Sequence, residues 1–465
     1  MRAKFEKTGL IIMGAVLGIL LSLNFSAIAD KDTKSANTLP IDDLRAFAEV
    51  FGKIKSDYVD PVEDKKLLTE AINGMLTGLD PHSTYLDAEA FKELQDTTQG
   101  AFGGLGIEVG MEDGLVKVVS PIEDTPAYKA GLKPGDLIMK LDDTLVKGLS
   151  LNDAVKLMRG APDTKIVLTI IRKGEPAPFT VTLTRAVIKV QSVKYKIPEP
   201  GYGYARVTQF QEKSSEDLAK AIKEMHDQNK GPFKGFVLDL RNNPGGLLNS
   251  AVGISATFLP KNALVVYTEG RSKDSQMRLT ANPENYARGA DFLNDLPADV
   301  KTMPMVVLVN GGSASASEIV SGALQDHKRA VIMGTQTFGK GSVQTILPMN
   351  NGAGIKLTTA RYFTPNGRSI QAKGIVPDIV VEDPTDQGMT LHEADLSHHL
   401  ANPKGGEEVT SKTTDSKDKD KNKDADKEAA KAERQAPVEP ASKNDYQFNQ
   451  AMNLLKGLQI MQNNK

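Results

Sequence analysis

Residues 303–327, MPMVVLVNGGSASASEIVSGALQDH, pass from an unbroken apolar run through a glycine turn into a helix-like run. Short, unbroken apolar runs are characteristic of strands buried on both faces of a sheet, and such strands usually feed helices that cover it. The same pairing occurs elsewhere between residues 202 and 381. YGYARVTQF precedes SSEDLAKAIKEMHDQ, GFVLDLRNNPGG precedes LLNSAVGISATFL, and AVIMGTQTF follows the quoted stretch. The pattern predicts an α/β core. In such sheets sites form where strands end and helices begin. Two of these junctions, DLRNNPGG and VNGGSASASE, are rich in glycine.

Ser313, Ser315 and Ser317 alternate in the second junction. Ser315-x-x-Glu318 fits a capping box, which needs no chemistry. A serine acts as a nucleophile only where a base takes its proton. His327 lies about twelve residues further on, roughly 18 Å along a helix, and is too distant to serve. Lys340, in TQTFGKGSVQT, is flanked by glycines and apolar strands that can draw it out of water. Desolvation is what lowers a lysine from about 10.4 toward the range of about 7 to 8 that a base needs. In an extended segment Lys340, Ser342 and Gln344 share one face, so Gln344 either orients the amine or is a plain strand residue. GTQTFGKG also approaches a nucleotide-binding loop, but Gly341 stands where that loop needs Ser or Thr.

A second module lies between residues 97 and 186. Short β-like runs, GGLGIEV, GLVKVVSPI, GDLIMKLDDTLV and KIVLTIIRKGE, enclose the helical LNDAVKLMRG. Together with SPIEDTPAYKAGLKPGDLIMKLD they resemble a PDZ domain. That resemblance implies that Gly103, Gly104, Leu105 and Gly106 capture a peptide carboxylate and that a strand edge receives the peptide. Arg159 and Arg172 read equally as partners of acids and as solvated surface. His82, in DPHSTYLD, has no second ligand at a zinc spacing and reads as a turn residue, as His398 and His399 do in their polar tail.

At 465 residues, 40% hydrophobic and 25% charged, the chain is long enough for several cores. A net charge of -2 argues against nucleic acid as a partner. The absence of cysteine removes disulfides, thiolate catalysis and cysteine-zinc sites. Arg2, Lys4 and Lys7, an apolar run over residues 10–23 and the small residues Ala27 and Ala29 predict an export signal over residues 1–29, cleaved before Asp30. The expected location is the periplasm, with inner-membrane association if the signal is retained. Residues 38–96 read as a helical region and 187–385 as the core with its preceding segment. Residues 405–444 are too charged to fold alone and read as a linker. In the terminal helix, 445–465, Phe448, Met452, Leu455 and Ile460 form a stripe widened by Leu454 and Leu458. That face either docks on the same chain or mediates self-association.

The long stretch GSASASEIVSGALQDHKRAVIMGTQTFGKGSVQ, with DLRNNPGG before it and YFTPNGRSIQAKGIVPDI after it, resembles the carboxyl-terminal processing proteases, peptidase family S41. The resemblance covers nearly the whole chain. It implies an α/β, multidomain architecture: a crotonase/ClpP-like serine-protease core with an inserted β-rich PDZ domain and helical N- and C-terminal regions. It implies a serine endopeptidase without metal or other cofactor, with Ser315 as nucleophile, Lys340 as base and Gln344 orienting the lysine. The oxyanion donors would be Ala316 and a glycine of NNPGG, Gly245 or Gly246. It further implies capture of substrate C-termini, gating by the PDZ module, a homo-oligomer and an adaptor protein as partners. The rival reading is a non-catalytic PDZ-containing peptide-binding or scaffold protein.

Overall fold

Strand 305–309 is buried at every position and lies in the middle of a six-stranded sheet. The computed structural model describes residues 40–112, 114–122, 125–149, 151–189, 191–383, 391–405 and 439–463. The expected export signal and all but the ends of the expected linker lie outside them. The chain divides into two compact units, residues 1–71 and 72–465. In the first, the apolar spacing of residues 41–57 forms the expected helix, Ile41–Asp57, and Ile41, Leu44, Phe47 and Val50 are exposed on it.

In the larger unit, strands run in the order Val193–Glu199, Tyr202–Val207, Gly235–Asp239, Met305–Val309, Val331–Gly334 and Ile379–Val380. The first pair is antiparallel and the others are parallel. Alternation along the central strands sorts their side chains to opposite faces. Phe236, Leu238, Val307 and Val309 join the helices Ser214–Asn229, Leu248–Phe258 and Ala316–Asp326 in the main core.

Val237, Val306 and Leu308 point the other way and meet Phe448, Ala451, Met452 and Leu455 of the C-terminal helix, Tyr446–Asn463. Burying each large apolar side chain contributes roughly 1.5–3 kcal/mol. The choice left open for this helix is therefore decided: the stripe docks on its own sheet and is not a free face for self-association. Ile460 and Met461 at its far end remain exposed, as does Tyr446 at its start. Arg241 locks the docking, donating to Asp445 at 2.7 and 2.8 Å and to Asp239 at 2.7 and 2.9 Å. Burial by itself would raise the Asp445 carboxyl; the Arg241 bonds and the amides of Ala441 and Phe448 bring it below its ordinary value.

A second sheet carries the segment that follows Lys340. Strand Ser342–Pro348 pairs with Gly354–Phe363, which also contacts Thr84–Leu86 and Leu264–Gly270. Residues 107–184 fold around a separate core that includes Val116, Val118, Ile138, Leu168 and Ile170. Their sheet runs Ile107–Glu112, Leu115–Pro121, Leu137–Leu141, Lys165–Ile171, Phe179–Thr184, with helix Leu151–Met158 packed on the third strand. A two-stranded ribbon, Ala101–Gly104 with Ala186–Lys189, ties this module to the rest. Arg172 pairs with the buried Asp136 at 2.7 Å, and Arg159 pairs with Glu93 and lies over the Phe102 ring, so neither is merely solvated.

Candidate active site

The three serines differ in what their hydroxyls do. Ser313 donates to the Leu240 carbonyl and Ser317 to the Asn243 carbonyl, each at 2.8 Å and each fully buried. Both therefore serve to bind the DLRNNPGG turn to the serine turn. Ser315 between them is partly exposed and caps the helix Ala316–Asp326. Its φ of 54° and ψ of -113° are a strained conformation for a residue with a side chain. Such strain on a strand-to-helix turn presents a hydroxyl outward at a helix N-terminus.

Glu318 is a cap and more. Its Oε2 accepts the Ser315 amide at 2.7 Å, as a capping box requires, and also the Lys340 amide at 3.0 Å. Its Oε1 accepts the Gly339 amide at 2.7 Å and the Thr337 hydroxyl at 2.6 Å. One buried carboxylate thus joins the backbone of the serine to that of the lysine, twenty-five positions apart in sequence. Burial pushes this carboxyl up to about 8 against the pull of the four donors.

The Lys340 side chain is lowered to about 8, first by withdrawal from water and then by Lys356, while Glu393, Glu318 and Asp80 oppose the shift. Among the described residues its Nζ has no hydrogen-bond partner. Lys340 precedes the strand Ser342–Pro348, and a bulge falls between Val343 and Gln344, so simple alternation does not carry through the three residues. Gln344 still meets Ser342, donating to its Oγ at 3.0 Å and to Thr358 Oγ1 at 3.2 Å. The expected Gln344 to Lys340 bond is not made in this arrangement.

Gly245 and Gly246 lie where side chains would intrude. A Cβ on Gly245 would stand 2.8 Å from Ser315 Cβ and 2.9 Å from the Ala316 nitrogen; one on Gly246 would collide with the Phe210 backbone. Their φ values, 101° and 146°, also favour glycine. The Gly245 amide is already given to Asn243 Oδ1 at 2.9 Å. The amides of Ala316 and Gly246 have no acceptor among the described residues, so of the two glycines it is Gly246 that has a donor to spare.

Two participants were given no part in the site by the sequence. Tyr362 places its hydroxyl on the Lys340 carbonyl and interacts with the Ser315 side chain, and burial raises it well above its ordinary value. His82, read as a turn residue, has Nε2 2.9 and 3.0 Å from the Glu393 carboxylate. His327 caps the far end of the serine helix and meets the Leu264 carbonyl, away from Ser315 as its spacing requires.

Just before the 107–184 module, Gly103 and Gly104 sit in the ribbon strand, facing Val187 and Ala186. A side chain on Gly103 would strike Gly160. This narrows the loop with spare donors to Leu105 and Gly106, whose carbonyls accept from Ala127 and Ile122 while their amides have no acceptor among the described residues. Strand Ile107–Glu112, just after them, is at the edge of its sheet.

Residues 201–381 match the description of peptidase family S41, residues 103–183 that of a PDZ domain, and residues 10–90 that of the N-terminal domain of the activating protease CtpB. A carboxy-terminal-processing protease of Bartonella bacilliformis is 46% identical over 450 residues, 95% of either chain. Carboxy-terminal processing protease CtpA of Bacillus subtilis is 34% identical over 388 residues, 83% of this chain and 78% of that one. Among solved structures, a photosystem II D1 C-terminal processing protease is similar at 30% identity and a TM-score of 0.42, covering 73% of this chain and 87% of its own.

Proposed function

For a chain that belongs to the carboxy-terminal processing proteases of peptidase family S41, and so is a serine-type peptidase with a PDZ domain, we propose catalysis by a Ser315/Lys340 dyad. Neutral Lys340 takes the Ser315 proton as Oγ attacks the substrate carbonyl, and the developing oxyanion is met by the Ala316 and Gly246 amides. The lysine then gives the proton to the leaving amine. Water hydrolyses the acyl-enzyme with Lys340 again as base. Gln344 acts by orienting the lysine once substrate closes the site. The observation that carries this reading is the single Glu318 oxygen shared by the Ser315 and Lys340 amides.

The same reading has Leu105 and Gly106 bind the C-terminal carboxylate of a protein substrate, the peptide adding to the Ile107–Glu112 edge. It includes export to the periplasm, assembly into a homo-oligomer and use of an adaptor. The exposed face of the Ile41–Asp57 helix supports assembly. Incubation of the exported form with an unfolded substrate tests the chemistry. Wild type is expected to cleave, and Ser315→Ala or Lys340→Ala to lose at least about 10³-fold. Full activity in either variant overturns the dyad.

A further inference from the structure

The Lys340 segment is held from two sides. Glu318 grips the amides of Gly339 and Lys340 from the serine helix. From the opposite end of the chain, the Glu393 amide donates to the Phe338 carbonyl at 3.0 Å. The Glu393 side chain, itself fully buried, accepts from Gln371 Nε2 at 2.9 Å, while Gln371 Oε1 accepts the Gly341 amide at 3.0 Å. Residues 338 and 341, which bracket the lysine, are thus both tied to Glu393. His82 completes the carboxylate, and its own turn is set by Asp80, which accepts the His82 and Ser83 amides at 2.9 Å.

We propose that Glu393, held by the His82 imidazole and relayed through Gln371, is a positioning residue for the Lys340 base. This rests on the dyad reading above. A buried carboxylate needs donors, and here they come from two separate segments, so the cluster assembles only when the DPHST turn and the 369–375 stretch have closed with the 392–395 turn around the lysine loop. The carboxylate also acts on the amine through space. The charged groups around Lys340 are Lys356 on the Gly354–Phe363 strand, Glu318 on the serine helix, Asp80 on the DPHST turn and Glu393. Lys356 disfavours the ammonium and the three acids favour it, so removing the Glu393 charge leaves the amine easier to deprotonate.

The test compares wild type, Glu393→Gln, His82→Ala and Lys340→Ala on one peptide substrate across pH, with thermal melts to follow folding. Glu393→Gln is expected to lower kcat by about tenfold or more with KM within about twofold, and to move the acid limb of kcat/KM to lower pH. His82→Ala, at a side chain that is 15% exposed, is expected to lose kcat in the same way and to regain it with added imidazole. An unchanged kcat and acid limb in Glu393→Gln, or a loss in His82→Ala that imidazole does not touch, overturns the proposal. If Glu393→Gln does not fold, the imidazole readout decides alone. Lys340→Ala separates the two levels: if it is inactive while Glu393→Gln behaves as wild type, only the positioning role falls, whereas an active Lys340→Ala removes the dyad itself.

Discussion

The PDZ module and the protease core solve opposite problems with backbone amides. In the module, Leu105 and Gly106 leave theirs without acceptors beside an unpaired sheet edge, and the polar anchors, Asp136 with Arg172 and Arg185 with the Leu157 and Met158 carbonyls, brace the frame behind. In the core, the amides of Ser315, Gly339 and Lys340 are drawn onto one buried carboxylate, and only Ala316 and Gly246 are left over beside the serine. Under the proposed function the module presents donors to a ligand that supplies its own charge. The core, on the same proposal, reserves donors for charge that appears only during reaction, which requires that they be held rigidly. Each of the two bodies has its own apolar core, and a ribbon of two short strands joins them.

Gly245→Ala should break the core side of this contrast most sharply. Its new Cβ would press on Ser315 and the Ala316 nitrogen, and loss of one well-placed oxyanion donor typically costs about 10²-fold. Peptide kinetics should show kcat falling by that order while affinity of the PDZ module for a C-terminal peptide stays constant; an equal loss of both would mean that the two bodies are not separable.

Proton inventory gives the next largest effect. Lys340, lowered to about 8, is charged below that pH and idle as a base, and Glu318, pushed up to about 8, weakens its hold on the three amides as it protonates. Thus kcat/KM should drop about tenfold or more per unit below pH 8, while peptide capture changes little. A flat profile from pH 6 to 9 would contradict a lysine base.

Gly106→Ala reverses the dissociation. At φ 76° and with Thr125 in the way, an alanine there distorts the capture loop. Peptide affinity should fall by about tenfold with the rate on a short, PDZ-independent peptide unchanged, as calorimetry and a fluorogenic assay can show together.

A smaller effect tests the tension stored in the core. The folded state holds Lys340 neutral more readily than the unfolded chain does, so folding costs free energy below pH 8, and stability should rise as pH climbs from about 8 toward the unfolded value near 10.5. Lys340→Met should therefore stabilise the chain by ~1–3 kcal/mol at pH 7, seen as a higher Tm, with the PDZ module unaffected. A lower Tm would mean that the lysine is not strained.

What the sequence disclosed follows the range of the interactions. The alternation of apolar runs and helices is local, and it located the sheet around 305–309 and both glycine turns. The proposal that pairs Ser315 with Lys340 rests on two motifs and on the distance of His327 from the serine. Glu318 was visible only as a cap, because the pattern that binds the Ser315 amide is the same whether or not a second loop arrives. His82 and Glu393 are 311 positions apart, and no periodicity links them. Where the Gln344 amide rests could not be read locally, since the bulge beside it, which accompanies its bonds to Ser342 and Thr358, belongs to the pairing with 354–363 and not to its own strand alone. The terminal stripe showed that 446–463 needed a partner, but which surface it covers depends on a sheet face assembled from residues more than a hundred positions earlier.

The central claim is that Ser315 is a nucleophile activated by Lys340. Labelling the full chain with a fluorophosphonate and following intact mass across pH tests it most directly. One adduct is expected, on Ser315, forming with a midpoint near pH 8, absent in Ser315→Ala and slowed by orders of magnitude in Lys340→Met. An adduct that persists in Ser315→Ala, or a labelling rate indifferent to Lys340, would contradict it.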